Sequence, residues 1–233
     1  QHADCYVVSH YFDALANPQY MSSLAIDGHE TDPQNIKLFN AELSSLLSVL
    51  KPLQAYFEFS SLQMVTMLSV SFYGKPAIDE LATQTIGLLN SQKPENKLFP
   101  MQLAFNMQPV TTQPEMEQQL ASLLGGAIKC SLQSLIVPTF YGMSCSVTLE
   151  SDDPIDLKQF IHHLEGLEGV KVSAEPVSPM THCQQDAIIY VSSIHQPYQD
   201  ENRVQFWMVA DSSRNGLIAN YLETVNTLSH AVG

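Results

Sequence analysis

Four cysteines and eight histidines are the side chains in this chain best equipped to attack a carbon, hold a metal or carry a proton. Cys5, Cys130, Cys145 and Cys183 form no Cys-x-x-Cys pair, and no short Cys/His run has the spacing of a zinc site. The expectation is free, mostly buried thiols in a reducing compartment, and no metal. His162-His163 and His182-Cys183 are adjacent pairs; neighbours on a helix do not face each other, so His162 and His163 make no ready chelate. Phosphate-cradling chemistry requires glycines two apart, so that backbone amides can approach a pyrophosphate. No Gly-x-Gly occurs in these 233 residues.

The composition narrows the partners. Acidic side chains outnumber basic ones 24 to 10, for a net charge of −14, and Arg203 and Arg214 are the arginines. Affinity for nucleic acid comes largely from neutralising phosphates with cations, so nucleic acid is disfavoured, as are acidic membrane surfaces. No apolar run reaches the roughly 18 residues that would span a bilayer, and Gln1-His2-Ala3-Asp4 lacks the basic start of a secretory leader. A cytoplasmic location is expected. With 45% apolar residues, the chain is globular and long enough to bury a large core.

The elements that would position any chemistry follow from periodicity and punctuation. Residues 1–34 are turn-rich, with one candidate strand at 4–9, and are expected to form a remnant strand plus linker. Residues 35–233 form the main domain. Leu43, Leu46, Leu47, Leu50 and Leu53 recur at helical spacing over 41–53. A strand is expected over 61–72, a helix over 75–89, a loop over 94–100 and a short strand over 102–107. Pro114 opens a helix that stops at Gly125-Gly126. Strands follow at 129–137 and 143–150, then a helix from Asp153-Pro154 to Gly166, strands at 170–172, 187–194 and 203–210, and a last helix over 215–231. The connections between 129–137 and 143–150, and between 187–194 and 203–210, are shorter than a parallel crossover needs. The fold class is therefore α+β: a largely antiparallel, mixed sheet covered by helices.

Four segments, in order, carry a resemblance. Ile136-Val137-Pro138-Thr139-Phe140-Tyr141-Gly142-Met143 resembles the Arg-Val-Pro-Val-x-x-Gly-His motif of the aspartate-β-semialdehyde dehydrogenase family. Gly74-Lys75-Pro76-Ala77-Ile78-Asp79-Glu80-Leu81, Leu103-Ala104-Phe105-Asn106-Met107-Gln108-Pro109 and the run Val204–Gly216 are similar to three further stretches of it. The match spans roughly 38–233 and is nearest the Usg-type paralogues. The resemblance implies the second domain of such an enzyme, which carries the dimer contacts and most catalytic groups, without its NADP-binding Rossmann domain.

Carried over position by position, the family's roles fall on residues that cannot perform them. The nucleophilic cysteine after an asparagine corresponds to Ala41 in Asn40-Ala41, which has no thiol to activate. The glutamine of the next strand corresponds to Leu68, the substrate-gripping arginine to Ile136, the acid/base histidine to Met143, and the nicotinamide-contacting asparagine to Ser212. Isoleucine forms no charge-assisted fork to a carboxylate, and a thioether carries no transferable proton. Asp211, Arg214 and Gly216 do match the family. The expectation is a catalytically inactive homologue without a cofactor, working as a homodimeric structural or interaction protein. Two alternatives remain open: an acyl-enzyme aldehyde dehydrogenase, completed elsewhere by a nucleotide domain and using Cys130 or Cys145, or a binding module reusing the old cleft. Strand alternation sets Cys145 on the same face as Met143.

Overall fold

The computed structural model describes residues 41–110, 114–183 and 187–211. The expected strand at 4–9, the segment 1–34 and the expected helix at 215–231 lie outside the described residues. Helix α1 (Ala41–Leu53) is built on the leucine stripe, and Leu43, Leu46, Leu47, Leu50 and Leu53 are all buried. Each such side chain contributes roughly 1.5–3 kcal/mol by leaving water. Glu42 sits in the first turn, where the helix dipole favours an anion. At the other end, Lys51 Nζ and Gln54 Nε2 donate to the carbonyls of Leu123 and Leu124, tying α1 to the end of a neighbouring helix.

Seven strands form one sheet: β1 (Ser61–Leu68), β2 (Gln108–Val110), β3 (Lys129–Ile136), β4 (Met143–Glu150), β5 (Val170–Val172), β6 (Ile189–His195) and β7 (Arg203–Ala210), in the order β2-β3-β1-β4-β7-β6-β5. Four pairings are antiparallel, and two, β1 with β3 and β5 with β6, are parallel. This is the mixed α+β sheet the pattern predicts. The β6–β7 hairpin pairs as its short connection requires.

The other short connection behaves differently. β3 and β4 are not neighbours, because β1 lies between them, parallel to β3 and antiparallel to β4. Residues 137–142 therefore step over the end of β1. The backbone N–H groups of Val70 and Ser71 donate to the carbonyls of Thr139 and Phe140 in that step. Those bonds end the strand expected over 61–72 at Leu68 and divert Val70–Tyr73 into a 3-10 turn.

Helices α2 (Lys75–Leu89), α3 (Pro114–Leu123), α4 (Leu157–Glu165) and the short α5 (Pro179–His182) complete the described elements. α4 starts later than Asp153-Pro154 implies because Asp156 caps it, accepting from the N–H groups of Lys158 and Gln159 at 2.9 and 3.2 Å. The strand expected over 102–107 is a loop. Gln84 Oε1 takes the N–H groups of Leu103 and Ala104, and Gln102, Asn106 and Gln108 bond within the loop, satisfying backbone groups that a ladder would otherwise pair. Pairing starts at Gln108, one residue beyond the expected strand.

α1, α3 and α4 contribute Leu46, Leu120 and Phe160 to one core with alternate residues of the sheet, among them Leu62, Met64, Val147 and Phe206. This inner face holds the main core. A second, smaller core forms where α2 and the 99–104 loop meet the end of β3, with Ala77, Leu81, Leu103 and Ile136.

Candidate functional site

The register gathers three of the sequence-predicted positions, Ile136, Leu68 and Met143, into one line. Ile136 of β3 pairs with Leu68 of β1, Leu68 pairs with Met143 of β4, and Met143 pairs with Ala210 of β7. Residues 75 positions apart in sequence thus become neighbours across roughly 4.8 Å strand spacings. All four are buried: Leu68 and Met143 are 1% exposed, Ile136 6% and Ala210 0%. Ala41 is the first residue of α1. Ser212, Arg214 and Gly216 lie outside the described residues, and Asp211, directly after β7, is half-buried.

The step that delivers Met143 is held by a tight contact. Gly142 takes φ +78, and a Cβ there would lie 2.9 Å from Pro179 Cβ and 3.0 Å from Cys183 Sγ. Only glycine fits that backbone against α5 without displacing it. The Cys183 thiol, hydrogen-bonded to the backbone of Met143, is nevertheless pushed up to about 12, by burial first and then by Asp211. It braces the step but supplies no thiolate at neutral pH.

One row further into the sheet, on the same inner face, the chemistry changes. Ser134, Thr66, Cys145 and Met208 are successive register partners. Ser134 Oγ donates to Glu42 Oε2 at 2.9 Å, with both side chains buried. Cys145 Sγ donates to Thr66 Oγ1 at 3.9 Å. Burial pushes the Cys145 thiol up to about 12, helped by the nearby charge of Glu42 and opposed by the Thr66 bond. The Cys130 thiol rises to about 11, through burial and then Glu117. Both candidate nucleophiles are therefore protonated at neutral pH.

The sequence reading named Cys145 but missed Glu42, Ser134 and Thr66. The signal was present: Glu42, Leu46, Leu50 and Leu53 follow one helical stripe, which placed a carboxylate on the buried face of α1. The paired histidines have local partners. His163 stacks on Tyr56 with ring centroids 3.7 Å apart, and His182 Nδ1 meets Thr181 Oγ1 at 2.6 Å. Among the described residues no group of three or more His, Cys, Asp or Glu could hold a metal ion. No described helix is long and apolar enough to cross a membrane. A cleft of about 550 Å³ lies between α2 and residues 92–98, and none of the row residues lines it. Its buried members Glu80 and Gln84 are already engaged in holding the 95–104 loop.

A mixed sheet with helices packed on its inner face is the architecture of the dimerisation domain of semialdehyde dehydrogenases. The chain belongs to that family: residues 50–214 match the model for the semialdehyde dehydrogenase dimerisation domain. It is 28% identical to an aspartate-semialdehyde dehydrogenase of Rickettsia bellii over 91% of this chain and 65% of that protein. It is 31% identical to a USG-1 protein homolog of Pseudomonas aeruginosa, over 77% of this chain and 57% of that one. A solved structure of a probable aspartate-semialdehyde dehydrogenase from Pseudomonas aeruginosa superposes with a TM-score of 0.88 at 24% identity, covering 97% of this chain and 73% of that one. The chain spans about 57–65% of the length of these two relatives known by sequence.

Proposed function

We propose that this chain is a non-catalytic relative of the aspartate-semialdehyde dehydrogenases, acting in the cytoplasm as a homodimeric structural or interaction protein. The observation that carries the reading is the row Ile136–Leu68–Met143: three positions of the family's chemistry, adjacent in the sheet and buried, with no ionisable group, hydroxyl or thiol among them. Packed this way, the row contributes burial energy, whereas uncompensated polar groups there would cost it. NADP does not fit what is described. Leu68 and Met143 are buried and offer no polar group to a cofactor, and these 233 residues hold no Gly-x-Gly turn for a pyrophosphate.

Purified protein given aspartate semialdehyde, NADP and phosphate is expected to form no NADPH above a blank. Steady NADPH production would overturn the reading. Selective alkylation of Cys130 or Cys145 in that active sample would favour the acyl-enzyme alternative. A thermal shift with an uncharged metabolite but no turnover would favour a binding module. Self-association is supported by the dimerisation-domain family match.

A further inference from the structure

We infer that the cleft between α2 and residues 92–98 binds a small zwitterion with an apolar body, namely a short apolar peptide with both ends free. The inference stands apart from the homodimer reading and from the lost chemistry, because none of Ile136, Leu68 and Met143 lines this cleft.

One wall is a single face of α2. Pro76, Asp79, Thr83 and Gly87 line it at the three- and four-residue spacing that sets side chains on one side of a helix. The floor is fixed. Glu80 Oε1 accepts from Gln84 Nε2 and from the N–H of Lys97, and Glu80 Oε2 accepts from the N–H of Leu98. Gln84 Oε1 takes the N–H groups of Leu103 and Ala104. Helix and loop are thus tied together with no ligand present, and ligand sites are ordinarily preformed in this way. A volume of about 550 Å³ suits a small organic molecule rather than a single ion.

Gly87 keeps the cleft open. Its backbone is not left-handed, and a Cβ there would meet nothing closer than Gln92, at an ordinary 3.8 Å, so no steric demand explains a glycine. Inside a helix glycine is also the less stable choice. Gly87 and Gln92 both line the cleft, so the side chain that glycine omits would occupy it.

The rim carries both signs of charge, Asp79 and Glu95 against Lys93 and Lys97. Lys97 meets Glu95 at 3.6 Å, Asp79 meets Lys75 at 2.7 Å, and all four side chains are exposed. Exposed pairs contribute little, so a ligand's own charges can replace either partner at small cost. Lys93 makes no ion pair among the described residues. A simple anion would be opposed by the rim carboxylates and by the net charge of −14. A simple cation would gain nothing from the lysines. A zwitterion satisfies both, its carboxylate on Lys93 and Lys97 and its ammonium on Asp79 and Glu95. Pro76, Pro94 and the exposed Leu98 supply apolar surface for its body.

Isothermal titration calorimetry of the purified chain with di- and tripeptides of alanine, valine and leucine tests this. Saturable binding is expected, and acetylating the amine or amidating the carboxylate is each expected to weaken it about tenfold or more. Lys93→Ala combined with Lys97→Ala is expected to cost the free peptide the same factor and the amidated peptide nothing further, since the carboxylate contact is lost only once. Gly87→Leu is expected to abolish binding while raising the thermal midpoint, which separates a filled cleft from a damaged fold. No saturable binding by any peptide of the panel would overturn the site, and so would binding that survives Gly87→Leu. Affinity indifferent to both the end caps and the two lysines would overturn the zwitterion assignment.

Discussion

Two adjacent rows of one sheet face, built from the same three strands, have opposite characters. The outer row, Ile136–Leu68–Met143, is entirely apolar. The row beneath it, Ser134–Thr66–Cys145, is polar, and Glu42 reaches it from α1. The row at the strand ends offers no hydroxyl, thiol or charged group, and the polar atoms lie one row deeper. The difference shows that polarity alone does not mark a site. The inner groups bond to one another in a closed interior, whereas an active group must be presented to substrate.

The largest expected effect comes from reversing the outer row. Ile136→Arg places a guanidinium among Val70, Ala77, Leu81, Leu103 and Ala104. A guanidinium without a buried partner costs about 3–5 kcal/mol. The thermal midpoint is expected to fall by about 10 °C, with no dehydrogenase activity gained. A stable, wild-type-like I136R would mean that the row opens to water and would end the packed-floor account.

The inner row gives the next effect. Glu42→Ala leaves the Ser134 hydroxyl without this acceptor and opens a gap under α1, for an expected loss of about 3 kcal/mol in denaturant unfolding. Ser134→Ala removes the donor from the same bond and is expected to cost about 1.5 kcal/mol. Their double mutant should cost less than the sum, because the bond is lost only once. Strict additivity would show that the two side chains do not interact.

Much of this contrast was legible in the sequence, and unevenly so. The α1 stripe and the β6–β7 hairpin were readable because each is a local pattern. The placement of β1 between β3 and β4 was not, since a short link between two strands ordinarily makes a hairpin. Here the backbone bonds from Val70 and Ser71 to residues 139 and 140 hold the link across the end of β1. The 102–107 loop was misread for a related reason. Its alternating residues suit a strand, but Gln84, on a distant helix, takes the N–H groups that a strand would spend on a ladder.

The smallest effect concerns the thiols, which test whether the inner row is closed at all. Cys145 and Cys130 rise from an ordinary 9.0 to about 12 and about 11. The folded protein therefore keeps these protons where the unfolded chain releases them. Below pH 9 both states hold them, and stability does not depend on these groups. Above it the unfolded state loses protons first, so stability falls as pH climbs from about 9 toward 11–12. At pH 8 native protein is expected to resist iodoacetamide, while urea-unfolded protein labels readily at the same pH. As pH is raised, Cys130, half-buried and least shifted, is expected to label before Cys145. Mass spectrometry of the peptides reads the order. Rapid native labelling of Cys145 at pH 8 would place its sulfur in reach of solvent and return it to the list of working nucleophiles.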